Sequence, residues 1–312
     1  MKIFVSVVSY RDPLLIKTVN SLLDQQSGDN ELTVCVFEQT CLEDSLFTID
    51  KELTENRNVK YKRIDPEYAD GVVWARKINA AHITDEDFIY QVDSHILYDK
   101  DWDRFLIQDW ELARQKANSS KVLLTGTCHT FFIEDDVVRL NTPEHPITTA
   151  SKYFTVTKRI RMPAAHGEHI PRTEDVTPAI HIWAGNFFAP IKWVDEIGYD
   201  SRLFFEGEEN YMVLKSFMHG WKLFHPRQIH CYHYHDTHND YPTKHWVDPL
   251  VENQYGQLTA KGHKYWLKFL ESIPEEVLQD YYEYSGLDYI NSVIDDRART
   301  LQIIDPYQNS ED

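Results

Sequence analysis

The stretch "FIYQVDSHILY", residues 88–98, decides how the rest of the chain is read. An apolar run from Phe88 to Val92 has the look of a buried strand, yet Asp93, Ser94 and His95 interrupt it before apolar residues resume. In an extended chain, residues two apart share a face, so Asp93 and His95 point one way and Ser94 the other. A carboxylate oxygen and an imidazole nitrogen on one face make half of a site for Mn²⁺, or Mg²⁺, and leave coordination positions for diphosphate oxygens and one more protein ligand. The same triplet also serves plain structural ends: Asp93 can cap a turn and His95 can simply pack.

Outward from this stretch, short β-rich runs alternate with amphipathic helical patterns, the signature of an α/β sheet with crossover helices. "IFVSVV" is followed by "PLLIKTVNSLLDQQ", in which Leu15, Val19, Leu22 and Leu23 recur with helical spacing and Pro13 suits the first turn. "LTVCVFEQ", "VKYKRID" and "KVLLTG" read as further strands, and "VVWARKINAAHI" and "WDRFLIQDWELARQ" as helices. Ligands in such sheets sit beyond the carboxyl ends of strands, which is where Asp93–His95 falls. From about Ile133 to Thr177 the periodicity weakens, and an irregular insertion or lid is expected there. Order resumes at "AIHIWAGNFFAP", a helix is expected from "EGEENYMVLKSFMHG" to Gly220, and the chain beyond Pro249 is mostly helical.

Composition narrows the function classes. With 312 residues, 42% hydrophobic and 13% aromatic, the chain can bury a substantial core. A formal net charge of -18 disfavours indiscriminate binding to nucleic acid or anionic lipid, although it leaves room for a local basic groove. "IFVSVVSY" is too short to span a membrane, and no other run approaches that length. Cys35, Cys41, Cys128 and Cys231 show neither CxxC pairing nor dense disulfide spacing, so a reduced, cytoplasmic protein is the expectation.

Two further clusters bear on chemistry. Seven of the fifteen histidines lie between His219 and His245, with His230, His233 and His235 in the strand-like "IHCYHYH". Alternation sets His233 and His235 on one face and His230 on the other, and one histidine of the cluster is expected to be a metal ligand rather than merely hydrogen-bonded. "FFEGEEN" places Glu206, Glu208 and Glu209 before an apolar helical pattern. Acidic residues there are favoured by the helix dipole alone, while Gly207 allows a close backbone approach and a substrate-facing carboxylate.

In order, "VSVVSYRDP", "GVVWARKINA", "YQVDSHILYDKDWD", "WAGNFFA", "FFEGEEN", "HGWKLFHP" and "HCYHYH" resemble the glycosyltransferases that place N-acetylglucosamine on hydroxyl groups of cytoplasmic Skp1-type proteins. They resemble, more distantly, the polypeptide N-acetylgalactosaminyltransferases. The resemblance runs from about Lys2 to His235 and implies a glycosyltransferase-A fold. It divides the chain into a catalytic domain over 1–245, with a nucleotide-binding half (1–127) and an acceptor half (128–245), and a helical C-terminal extension over 246–312. It also implies that Asp93 and His95 bind Mn²⁺ and that a later histidine completes the set, His233 by its spacing from Pro226 with His230 in reserve. Ser9, Tyr10 and Arg11 would lie near the base and ribose of a nucleotide-sugar donor, Trp74 and Arg76 near its diphosphate, and Gly185 and Asn186 at the sugar. Glu208 matches the later acid near donor sugar and acceptor hydroxyl. The sequence departs from these relatives after the late histidine, where "HYHDTH" replaces an aromatic residue and arginine, and beyond about His245 it has no clear counterpart.

The implied reaction moves a sugar, with retention, from a nucleotide diphosphate, by default UDP, to a hydroxyl on a protein, and Glu208 orients the reacting partners. A glycan or a hydroxymethylated base of phage DNA would offer the same chemistry. In "LTAKGHKYWLKFLESI", Trp266, Phe269, Leu270 and Ile273 form one helical face and Lys261, Lys264 and Lys268 the opposite one, a solvated face or a phosphate-binding patch. Two other classes use the same residues: a metal-dependent hydrolase built on Asp93 and the histidines, and a noncatalytic sugar-nucleotide or carbohydrate-binding module built on the many aromatic residues.

Overall fold

The computed structural model describes residues 1–41, 51–142, 147–157, 160–169, 175–234, 248 and 252–300. Its first half alternates strand and helix: β1 (Lys2–Tyr10), α1 (Leu15–Asp24), β2 (Glu31–Gln39), α2 (Lys51–Glu55), β3 (Val59–Ile64), α3 (Val72–Ala80) and β4 (Phe88–Asp93). A short β5 (Ile96–Tyr98), α4 (Trp102–Lys116) and β6 (Val122–Thr125) follow. Next come β7 (His129–Glu134), β8 (Val137–Asn141), β9 (Ile147–Thr157), β10 (Ile160–His169), β11 (Thr177–Pro178) and β12 (Asn186–Pro190). The last part holds α5 (Lys192–Glu196), α6 (Glu208–Met218), β13 (Lys222–His225), β14 (Cys231–Tyr234), α7 (Glu252–Ser272), α8 (Glu275–Ser285), β15 (Leu287–Asp288), β16 (Val293–Ile294) and α9 (Asp296–Thr300).

Among the described residues, eight strands form one sheet in the order β11-β13-β6-β12-β4-β1-β2-β3. β4, β1, β2 and β3 run parallel, so their carboxyl ends share one edge, whereas β12 enters antiparallel between β4 and β6. Strands buried on both faces need apolar residues at successive positions. In β1, Ile3, Val5 and Val7 accordingly face the cluster that α1 fills with Leu15, Val19 and Leu22, while Phe4 faces the opposite cluster with Phe187, Trp193 and Trp266.

The C-terminal helices pack into that second cluster, where Trp266 of α7 and Tyr281 of α8 are fully buried. The phenols of Tyr281 and Tyr284 donate to the carbonyls of Ile180 and Ala179, at 2.6 and 2.9 Å. The segment leading into "WAGNFFA" is thereby tied to α8.

The expectation of an irregular insertion from Ile133 to Thr177 is corrected by the structure. β7 and β8 form one antiparallel pair and β9 and β10 another. The Thr, Val, Tyr and Phe residues of "ITTASKYFTVT" suit a pleated ladder, and a strand carries no helical period to detect.

A smaller sheet, in the order β5-β14-β7-β8, completes the site region. β14 runs antiparallel to β5 with His233 opposite Ile96, and the Tyr234 amide donates to the His95 carbonyl at 3.1 Å. This pairing carries a residue more than a hundred positions downstream to the end of β4.

Candidate active site and metal centre

The bend after β4 is held from behind by α1. Thr18 Oγ1 donates to the Ser94 carbonyl at 2.8 Å and accepts from the Ile96 amide at 2.9 Å. β4 ends at Asp93, and in the bend that follows Ser94 turns its hydroxyl to Asp12 at 2.6 Å. His95 places Nδ1 2.7 Å from the same Asp12 Oδ2. With Nδ1 so engaged, Nε2 is the ring nitrogen left to face the site.

Asp93, His95 and His233 come together there, each offering one ligand atom, with those atoms within 4.8 Å of one another. His233 Nε2 lies 3.4 Å from Asp93 Oδ2, and the His95 and His233 rings meet edge-on at 4.5 Å. Burial alone would push the Asp93 carboxyl up, but its hydrogen bond with His233 and the charges of Arg76 and both histidines outweigh that and hold it well below the usual carboxylate range. His95 is likewise opposed by burial, yet the Asp12 carboxylate raises it above the ordinary imidazole value. One carboxylate oxygen and two imidazole nitrogens are a donor set that fits a divalent ion such as Mn²⁺, which would keep further positions for other oxygen ligands.

Gly185 makes room for this arrangement. A Cβ there would stand 2.5 Å from Asp93 Oδ2, while the Gly185 carbonyl accepts from the Asp93 amide at 3.3 Å. Only a residue without a side chain lets the β12 approach lie so close to the carboxylate.

Arg76, from α3, is buried between two acids. Its guanidinium donates to Glu208 at 2.5 Å through one terminal nitrogen and to Asp93 at 3.0 Å through the other, a fork that a lysine cannot reproduce. Glu208 opens α6 after Gly207, whose φ of 88° is the left-handed conformation that glycine adopts without strain. Burial keeps the Glu208 carboxyl above the ordinary range even against Arg76. Its neighbour Glu209 accepts from the Ala184 amide at 2.9 Å and is pushed up to about 7, chiefly by burial.

The remaining sequence candidates divide by position. Val8 pairs with Asp93 across β1 and β4, so Ser9 and Tyr10 at the end of β1, and Arg11 just past it, come out beside the Asp93–His95–His233 cluster. Tyr10 and Arg11 both reach Asp248, at 3.1 and 2.7 Å, and Arg11 holds a strained φ of 45°. Trp74 packs edge-on against Phe37 at 5.7 Å. Asn186 turns inward, its amide spent on the Tyr90 hydroxyl at 3.0 Å and the Gly126 carbonyl at 2.8 Å. His230 stacks on Phe105 at 4.2 Å, away from Asp93, and Lys261, Lys264 and Lys268 are exposed on α7. His235 lies outside the described residues.

Residues 45–284, well over half of the 312-residue chain, match the sequence model of the family described as "Glycosyltransferase (GlcNAc)". The chain belongs to this family. No curated protein sequence matches this one. Among solved structures it is similar to GalNAc-T7, crystallised with UDP, GalNAc and Mn²⁺, at a TM-score of 0.54 and 16% identity, over 92% of this chain and 52% of that one. It thus spans about half the length of GalNAc-T7. S. aureus TarS 1–349 in complex with UDP-GlcNAc is similar at a TM-score of 0.47 and 14% identity, over 94% of this chain and 82% of that one. The fold is that of the glycosyltransferase-A enzymes, and the protein is a glycosyltransferase.

Three residues of this glycosyltransferase that bear on the site were not singled out by the sequence. Asp12 lies one position past Arg11 in "SYRDP" and had a signal within reach. Trp183, whose ring lies 5.4 Å from that of His233, sits inside a quoted motif without a distinguishing pattern. Asp248 carries no local signal, because its contacts span more than two hundred residues.

Proposed function

We propose that this glycosyltransferase moves a sugar from a nucleotide-diphosphate donor, a UDP-sugar, to a hydroxyl acceptor, using a divalent cation held by Asp93, His95 and His233. The observation that carries the reading is the convergence of those three ligands at the carboxyl end of β4, beside the buried Arg76–Glu208 pair. Support also comes from GalNAc-T7, whose structure holds UDP, GalNAc and Mn²⁺. The bound cation would supply Lewis-acid stabilisation of the charge that develops on the departing diphosphate.

The chain's own residues do the rest. Ser9, Tyr10 and Arg11 bind the base and ribose at the β1 edge, with Trp74 and Arg76 on the diphosphate side. Arg76 keeps the Asp93 and Glu208 carboxylates apart and oriented, and adds positive charge where the diphosphate leaves. Gly185 admits the donor sugar close to Asp93, while Asn186 holds the floor of that pocket through Tyr90 and Gly126. Glu208, buried and paired, orients the sugar or acceptor hydroxyl rather than attacking it. Transfer proceeds with retention, the departing phosphate oxygen taking the acceptor proton. Residues 1–127 serve the nucleotide, 128–245 the acceptor, and 246–312 form a C-terminal extension; the acceptor is a protein hydroxyl and the setting cytoplasmic. No helix among the described residues is long and apolar enough to cross a membrane.

Calorimetry with UDP and UDP-sugars, with and without Mn²⁺, followed by transfer assays on hydroxylated peptides, glycans and hydroxymethylcytosine DNA, tests this reading. Metal-strengthened UDP binding and transfer to a peptide are expected. Little affinity for UDP, with water as the only acceptor, would instead establish a metal-dependent hydrolase. Transfer to DNA that weakens when Lys261, Lys264 and Lys268 are replaced would move the acceptor to the α7 face.

A further inference from the structure

The Asp93–His95–His233 cluster has an outer partner whose geometry goes beyond ligand identity. Asp12 is 2% exposed, and it lies in the turn between β1 and α1, outside the cluster itself. Its Oδ1 accepts from the Leu14 amide at 2.8 Å, and its Oδ2 takes the Ser94 hydroxyl at 2.6 Å and His95 Nδ1 at 2.7 Å. An ionised carboxylate is acceptor-only, so Nδ1 must be the donor in that contact. The neutral imidazole then carries its proton on Nδ1 and its lone pair on Nε2, toward Asp93 and His233.

We propose that Asp12 is a positioning residue that fixes the tautomer and ring orientation of His95, so that Nε2 is presented to the cation. The inference rests on the reading of Asp93, His95 and His233 as a cation site. Three donors converging on one buried side chain leave Asp12 a single orientation. Ser94 holds it from the same oxygen, which gives the middle residue of "DSH" a role distinct from that of its neighbours. Carboxylates that back a ligating histidine raise its basicity and restrict its rotation, and changing them costs about 10–100-fold in metal affinity or activity.

Asp12→Asn is the informative substitution. The remaining amide oxygen can still accept from Leu14, but an NH₂ group turned toward His95 donates to Nδ1 and moves the ring proton to Nε2, where it blocks ligation. Two measurements, neither of which needs turnover, separate the possibilities. Long-range ¹H–¹⁵N spectra of the neutral His95 ring, assigned with His95→Gln, should show the Nδ1–H tautomer in the wild type and the Nε2–H tautomer in Asp12→Asn. Titration with Mn²⁺ alone, followed by the loss of the free-ion EPR signal, should show affinity about 10–100-fold weaker in the variant. If the wild type itself takes up no Mn²⁺, the cation reading fails. If the wild type binds Mn²⁺ but its His95 is the Nε2–H tautomer, the role given to Asp12 is overturned, whether or not the variant folds. Equal Mn²⁺ affinity in a folded Asp12→Asn overturns it as well.

Discussion

Replacing Arg76 by methionine keeps most of the side-chain volume in α3 and removes the charge between Glu208 and Asp93. The arginine and Glu208 side chains are each only 4% exposed, so Glu208 is left as a buried carboxylate deprived of this cation. Removing one partner of a buried pair costs about 3–5 kcal/mol. Asp93 adds little to that figure, since its side chain is 28% exposed and keeps His233 at 3.4 Å. The loss also has a pH signature. Burial already holds the folded-state Glu208 carboxyl above its ordinary range, and losing Arg76 raises it further. An unfolded glutamate ionises near about 4.3, so the variant's stability falls as pH rises from there toward the raised folded-state value. The deficit relative to wild type is therefore small in mild acid and grows as pH rises toward neutral. Urea unfolding followed by tryptophan fluorescence at both pH values measures it. Arg76→Met/Glu208→Gln should recover most of the loss, because no uncompensated charge remains. A neutral-pH cost below about 1 kcal/mol, typical of an exposed pair, would refute the reasoning, as would a deficit unchanged by acid or a double variant no better than the single one.

Gly185→Ala puts a methyl group 2.5 Å from Asp93 Oδ2, and titration should show Mn²⁺ affinity at least about tenfold weaker as the carboxylate shifts. His233→Ala should weaken Mn²⁺ binding by about 10–100-fold, while His230→Ala, which loses the stacking on Phe105, should leave it near wild type by the same titration. Trp266→Ala in α7 should cost about 3–5 kcal/mol in denaturant unfolding, since the ring is fully buried in the core shared with the sheet. Glu209, pushed up to about 7 in the folded protein, stays protonated where an unfolded glutamate is already ionised. Its contribution to stability falls as pH rises from about 4.3 to about 7, and Glu209→Gln should flatten that decline in a pH series of thermal melts.

The sequence by itself determined the alternation of strand and helix in the first half of the chain. Local patterns suffice for that: helical spacing of Leu15, Val19 and Leu22 marks α1, and the apolar run before Asp93 marks β4. The alternation rule put Asp93 and His95 on one side and Ser94 on the other, but β4 ends at Asp93, and in the bend beyond it Ser94 and His95 both reach the same Asp12 oxygen. The stretch from Ile133 to Thr177 was misread as irregular because β-pairing depends on partners a local window does not contain.

Tertiary structure decided what the candidate residues meet. Whether His233 or His230 faces the cluster was settled by the antiparallel pairing of β14 with β5, which sets His233 opposite Ile96 and leaves His230 against Phe105. The WAR stretch named Arg76 but gave no hint that Glu208, 132 residues away, would take half of its guanidinium. Asn186 has the chemistry to bind a sugar, but Tyr90 and Gly126 occupy its amide. Asp248 joins the end of β1 only through chain folding. Hydrogen bonds and ion pairs act over a few ångströms, so which groups satisfy one another depends on distances that chain topology creates.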